Sequence, residues 1–242
     1  FVVQALDERK TSIDRIVRSV VIALDSNVRA VVVLTKADSV SPATLKRHLT
    51  LIHEVLGDAV TTIVTSSKLE VSHESSCDEM KQIVQRFHAR WGMDAIREEI
   101  PQESVAIVLG ESGAGKSTLL NALLGHEALE TGEVRASDKA GRHTTVARRM
   151  VALPKAGIIV DEPGLRSLPV MGHEQGLTKV FPRISRAAAA CKFRDCTHVH
   201  EPGCGVREAL RAGECSSAQV DAYLSLVHEM QVSARLLDPD VV

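Results

Sequence analysis

Apolar positions along the chain fall into two alternating rhythms. Val2–Ala5, Ala30–Leu34, Val60–Val64, Ser104–Leu109, Met150–Leu153 and Ile158–Val160 are short runs rich in Val and Ile, with the length and composition of buried strands. Between them, Ser12–Leu24 places Ile13, Ile16, Val17, Val20 and Leu24 at helical spacing. Pro42–Leu56 opens with Ser41 as N-cap and proline at its first position, and stops at Gly57. Glu79–Trp91 follows a polar loop and predicts another helix, a fourth runs from the glycine-rich turn at Gly110 to Leu124, and a last covers Ser217–Leu236. Strands that are apolar throughout, alternating with helices, predict an α/β fold: a mostly parallel sheet with helices on both faces. After Phe181 the rhythm dissolves into Ala187–Gly205, a stretch dense in Cys, His, Lys and Arg. The expected division is therefore a large domain over 1–180 and a smaller, mostly helical one over 181–242.

Composition changes this picture little but closes several alternatives. With 242 residues, 44% of them hydrophobic and 25% charged, the chain can bury one substantial core plus an appendage, which excludes a disordered or fibrous protein. No apolar run approaches the roughly 20 residues needed to cross a bilayer, and the start lacks the order of a signal peptide. The expectation is a cytoplasmic protein with no membrane partner. A net charge of -2 argues against a surface devoted to nucleic acid, although it permits a local basic patch. The chain begins at Phe1 rather than at methionine, which reads as a fragment or a processed form.

Chemistry enters at Gly110-Glu111-Ser112-Gly113-Ala114-Gly115-Lys116-Ser117, followed by Thr118, which fits G-x-x-x-x-G-K-[ST] between a strand and a helix. Glycines there let backbone N–H groups wrap phosphates, Lys116 brings a cation to the β and γ oxygens, and the Ser117 hydroxyl suits Mg²⁺. Asp161-Glu162-Pro163-Gly164 closes a neighbouring strand. An Asp in that place holds Mg²⁺, usually through water, and Gly164 lets a main-chain N–H approach the γ-phosphate.

Thr35-Lys36-Ala37-Asp38 closes the strand Ala30–Leu34 and resembles the guanine-reading N-K-x-D of GTPases. The Asp38 carboxylate accepts from two guanine N–H groups that adenine does not offer, and the aliphatic stem of Lys36 lies along the base. Threonine in place of asparagine is expected to loosen the support beneath the base. Ser66-Ser67-Lys68 resembles the S-A-K element that contacts guanine O6. Base-reading residues here precede the phosphate loop, the reverse of Ras-like proteins, and such an order is the signature of circular permutation. Gly141-Arg142-His143-Thr144-Thr145 completes a resemblance to the RsgA (YjeQ) family of permuted GTPases that assist small-ribosomal-subunit assembly. That resemblance implies GTP and GDP as substrate and product, Thr145 or Thr144 on Mg²⁺ and the γ-phosphate, and slow turnover stimulated by the small subunit. Leu165 stands where Ras-like proteins keep a water-orienting glutamine, so His143 is the candidate for that role.

Cys191, Cys196, His198 and Cys204 form C-x4-C-x-H-x5-C, three thiolates and an imidazole suited to a closed tetrahedral Zn²⁺ site. A region this polar has too little core to hold itself, so ligation would supply its folding energy. Lys192, Arg194, His200, Arg207 and Arg211 surround the cluster as a cationic face able to meet rRNA phosphates. Cys77 and Cys215 have no ligand-like company. The cluster separates the RsgA resemblance from YlqF-like permuted GTPases. The OB-fold typical of the RsgA family is absent from the sequence, and a monomer is expected. Two rivals remain: an ABC-type ATPase using Glu162 as base, against which no L-S-G-G-Q-like element appears, and a degenerate nucleotide-binding module with little turnover.

Overall fold

The computed structural model describes residues 1–8, 12–66, 75–126, 149–161 and 172–237. In chain order its elements are β1 (Val2–Ala5), α1 (Ile13–Asp25), β2 (Val31–Thr35), α2 (Pro42–Leu56), β3 (Thr61–Val64), α3 (Ser75–Arg86), β4 (Arg90–Trp91), α4 (Met93–Glu98), β5 (Val105–Val108), α5 (Lys116–Leu124), β6 (Arg149–Ala152) and β7 (Ile158–Asp161), then α6 (Glu174–Val180), α7 (Pro182–Ala189), α8 (Gly205–Arg211) and α9 (Ser217–Leu237). Contacts group the chain into two compact units: Phe1–Thr11, Val31–Leu49 and Thr61–Ser167 form the first, and Ser12–Ala30, Thr50–Val60 and Leu168–Val242 the second. Among the described residues no helix is long and apolar enough to cross a membrane.

Among the described residues all strands belong to the first unit. β1, β2, β3 and β4 lie side by side in that order and all run parallel, while β7 sits between β5, its parallel neighbour, and β6, which runs antiparallel to it. Main-chain bonds from Val3 N–H to Leu109 O (2.7 Å) and from Leu109 N–H to Phe1 O (2.8 Å) stitch β1 to the end of β5. The strand that opens the chain therefore lies beside the strand that enters the phosphate loop, although about a hundred residues separate them. All five residues of β2 are buried, so both of its faces are covered. On one of them Ile96 and Ile100, from α4 and just beyond it, join Leu119, Leu120 and Leu123 of α5 against Val31, Val33, Ile63, Val108 and Ile159. The expected mostly parallel α/β architecture is what the chain adopts.

Four short helices escaped the sequence reading, and one predicted helix has different bounds. α3 begins at Ser75 and ends at Arg86, where His88 takes a left-handed conformation (φ 53°), and Arg90–Trp91 pairs with β3 rather than extending the helix. The apolar spacing that continues to Trp91 belongs to a strand edge. α4, α6, α7 and α8 have six to eight residues each, too few turns to establish a period. In α7 only Ile184 is buried, which explains why the pattern fades after Phe181.

In the second unit α1 packs on α6 so tightly that a Cβ on Gly176 would lie 2.1 Å from the Val21 carbonyl oxygen. Glycine at this position is what lets the two backbones meet. The Asp25 carboxylate closes the contact, accepting the Gly176 N–H at 2.8 Å and meeting His173 Nδ1 at 3.1 Å, while Arg18 pairs with Glu229 at 2.5 Å to hold α9 on α1. The Gly176 N–H, with His173 second, lowers the Asp25 pKa below its ordinary 3.8. A carboxyl depressed in the folded state contributes stability above its unfolded value and loses it as pH falls through the folded value. Asp25→Ala should thus cost about 1 kcal/mol at neutral pH, as for a lost helix cap. The gap to the native chain should close below about pH 3.8, as urea titrations at several pH values would read.

Candidate nucleotide site and metal centre

The phosphate loop takes its shape from two residues that only glycine occupies easily. Gly113 and Gly115 have φ of 82° and 85°, and α5 starts immediately afterwards at Lys116. Gly110 lies so close to β1 that a Cβ there would come within 2.5 Å of the Val3 carbonyl oxygen. The first N–H groups of α5 and the positive end of its dipole face the loop, an arrangement that accepts phosphate oxygens. Glu111 and Ser112 are exposed and Ala114 is buried. Lys116 Nζ folds back over the loop, donating to Gly110 O at 2.6 Å and Glu111 O at 3.0 Å. Burial lowers the Lys116 pKa, and the nearby Asp161 and Glu111 carboxylates oppose that shift.

Across the cleft, the stretch of residues 35–38 is tied to this loop directly. The buried Thr35 hydroxyl donates to Ala114 O at 2.6 Å and packs against Gly115. Instead of loosening the support, threonine supplies a support of its own. Lys36 sits in a left-handed conformation (φ 59°) that begins the turn of Ala37–Ser39. Ser66 Oγ donates to Asp38 Oδ1 at 2.5 Å, which aims the carboxylate. Thr65, not singled out by the sequence reading, is the hub: its carbonyl accepts the Ala37 N–H at 3.3 Å and its hydroxyl donates to Met93 Sδ at 3.3 Å. Thr35, Lys36, Asp38, Ser39, Thr65, Met93, Gly115, Thr118, Leu119 and Ala122 together line a cleft of about 190 Å³. The position of Thr65 beside Ser66 was a signal available in the sequence. For Met93 there was none.

The tie between Thr35 and Ala114 can be cut selectively. Thr35→Val leaves the Ala114 carbonyl without its partner in a buried place, a loss of about 1–2 kcal/mol. Guanine nucleotide affinity should fall roughly tenfold in a titration with a fluorescent GDP, while Thr35→Ser restores it. Equal affinity for Val and Thr would show that the tie has no part in binding.

β5 and β7 bring Asp161 next to the loop, in register with Val108. Its Oδ1 is buried and makes no hydrogen bond among the described residues. A buried carboxylate oxygen without a donor, close enough to Lys116 to oppose the fall in its pKa, fits a magnesium ion with its shell of water. Ser67, Lys68, Gly141, Arg142, His143, Thr144, Thr145, Glu162, Pro163, Gly164 and Leu165 lie outside the described residues.

In the second unit, Cys191 ends the turn after α7, Cys204 caps α8, and the loop between them returns Cys196 and His198 to the same point. All four ligand atoms lie within 4.8 Å of one another. His198 Nδ1 is 3.4 Å from Cys191 Sγ and 3.5 Å from Cys204 Sγ, and the two sulfurs are 4.0 Å apart. Tetrahedral zinc with ordinary bond lengths requires edges of about 3.6 Å for S–N and about 3.8 Å for S–S. The residues therefore fit the ion. Without a cation, desolvation and the neighbouring Cys204 and Cys191 thiols push the Cys196 thiol up to about 11. Hydrogen bonds from Thr197, its hydroxyl first, pull the Glu201 carboxyl well below the usual carboxylate range. Lys192, Arg194, His200 and Arg211 are exposed and Arg207 is half-buried, whereas Cys77 and Cys215 are buried and do not belong to the cluster.

Comparisons with known proteins agree with this geometry. The chain is 37% identical over 217 residues to the small ribosomal subunit biogenesis GTPase RsgA of Streptomyces avermitilis, covering 90% of this chain and 53% of that protein. The corresponding protein of Leptospira interrogans is 36% identical over 229 residues, 90% of this chain and 63% of the relative. The chain thus spans between half and two thirds of these relatives. YjeQ from Thermotoga maritima superposes with a TM-score of 0.61 at 23% identity, over 95% of this chain and 70% of that one. YloQ, a circularly permuted GTPase, superposes at 0.57 with 22% identity, over 96% and 68%. These two likenesses establish the permuted fold. Residues 45–171, more than half of the chain, match the family described as RsgA GTPase. Fold, sequence and the order of its motifs agree: this chain belongs to the RsgA GTPase family.

Proposed function

We propose that the chain binds GTP in the cleft between Asp38 and the phosphate loop, hydrolyses it, and couples that cycle to maturation of the small ribosomal subunit. One observation carries the reading: the Thr35 hydroxyl on Ala114 O joins a base-reading turn to a phosphate loop that follows it far along the chain. Relatives named small ribosomal subunit biogenesis GTPases support the partner. Residues 1–180 would carry the nucleotide cycle and 181–242 the zinc-held contact with rRNA, in a cytoplasmic monomer.

Asp38, aimed by Ser66, selects guanine, and Lys36 covers the base. The loop N–H groups from Gly113 to Ser117 hold the β and γ phosphates, and Lys116 exchanges its two carbonyl partners for phosphate oxygens. It then balances the charge that develops as water attacks the γ-phosphate. Magnesium, when bound, would neutralise charge on the phosphates, and Ser117, Asp161 and Thr145 or Thr144 are the residues that would hold it. His143 orients the attacking water and Gly164 offers its N–H to the γ-phosphate. Single-turnover hydrolysis of GTP and ATP, with and without isolated small subunits, tests the proposal. It predicts slow GTP turnover accelerated by the subunit. Equal use of ATP points to the ABC-type reading, and tight binding without turnover under either condition points to a degenerate module.

A further inference from the structure

His198 is a metal-ligand candidate with a backbone that L side chains disfavour, a left-handed φ of 64°. Something must hold it there, and the bonds around it identify what does. Glu201 Oε1 accepts the Thr197 N–H at 2.9 Å and the Thr197 hydroxyl at 2.5 Å, while Oε2 accepts the N–H groups of Val199 and His200, both at 3.1 Å. One carboxylate thus grips the chain on both sides of His198, and no ligand atom is among its partners. The ends of the loop close independently, through Lys192 N–H on Gly203 O at 3.1 Å.

We propose that Glu201 is the positioning residue of the metal centre: by binding the main chain before and after His198, it fixes the left-handed turn that delivers the imidazole to the three thiolates. Charge attraction does not explain its place. Three thiolates around a divalent cation leave a net charge of -1, so a nearby carboxylate opposes metal binding electrostatically, and what it contributes is hydrogen bonding to the loop. The inference rests on the zinc reading of the Cys and His cluster.

The test compares Glu201→Ala, Glu201→Gln and Thr197→Val in the whole chain, by zinc competition against a chromophoric chelator and by the absorption of the cobalt-substituted protein. Glu201→Ala should raise the zinc dissociation constant about 10- to 100-fold, as removal of outer partners of metal ligands does. Glu201→Gln keeps one acceptor oxygen and should lie between Ala and native, and Thr197→Val, which loses one bond of four, should show the smallest change. In cobalt protein the thiolate charge-transfer band should persist while the d–d bands change, because His198 and not a cysteine is released. Should the Ala variant fail to fold, the Gln and Val variants carry the same comparison. Native affinity and native cobalt spectra in all of them would overturn the proposal, as would tighter zinc binding by Glu201→Gln. A native chain that takes up neither zinc nor cobalt would instead remove the metal centre itself.

Discussion

Lys116→Ala is expected to reduce GTP turnover by about a thousandfold, the scale on which a single preorganised group at a developing oxyanion acts. Its ammonium is poised for the task. It already spans Gly110 O and Glu111 O, and partial burial disfavours its charge unless an anion arrives. A bound triphosphate would supply that anion, so nucleotide binding and lysine charge should reinforce one another. The loop itself should survive the substitution, because Gly113, Gly115 and the start of α5 take their conformation from the backbone and from the core beneath Leu119 and Leu120. Circular dichroism should therefore be native while turnover is lost. Retained turnover would mean that the phosphates lie elsewhere.

Cys204→Ser should have the largest effect on stability, confined to the second unit. Cys204 is 2% exposed, caps α8 and stands 4.0 Å from Cys191 Sγ, so losing its thiolate would take one of the four donors from the proposed zinc centre. Structural zinc sites of this kind supply on the order of 10 kcal/mol of folding energy, and α8 has only Val206 and Ala209 buried with which to compensate. Bound zinc should fall from one per chain to none by elemental analysis. The single tyrosine of the chain, Tyr223, lies with its ring 6.4 Å from that of His198, and its fluorescence should report the collapse. Nucleotide binding should be spared, because the residues lining the cleft and the core beneath it belong to the first unit.

What the sequence made legible follows from how local each feature is. The phosphate loop is a contiguous run whose glycines are required by positive φ at two positions, so its pattern and its geometry carry the same information. The cysteine and histidine cluster is likewise compressed into fourteen residues. α2 was placed to the residue because Ser41, Pro42 and Gly57 mark both of its ends. Met93 was invisible for the opposite reason, and Thr65 was marked only by its neighbour Ser66. They enter the cleft through a strand end and a six-residue helix, and neither position has a periodicity or spacing that refers to Asp38. Thr35 shows a third case, since judged against asparagine it looks like a defect, and only the neighbouring Ala114 carbonyl reveals what its hydroxyl does.

The central claim is that a base-reading turn early in the chain and a phosphate loop far downstream serve one guanine nucleotide. Competition binding of GDP, XDP and ADP to the native chain and to Asp38→Asn tests it most directly. The account predicts that the native chain prefers GDP, and that replacing one carboxylate oxygen with an amide donor transfers the preference to XDP without restoring ADP. Unchanged GDP affinity in Asp38→Asn, or equal native affinity for ADP and GDP, would contradict it.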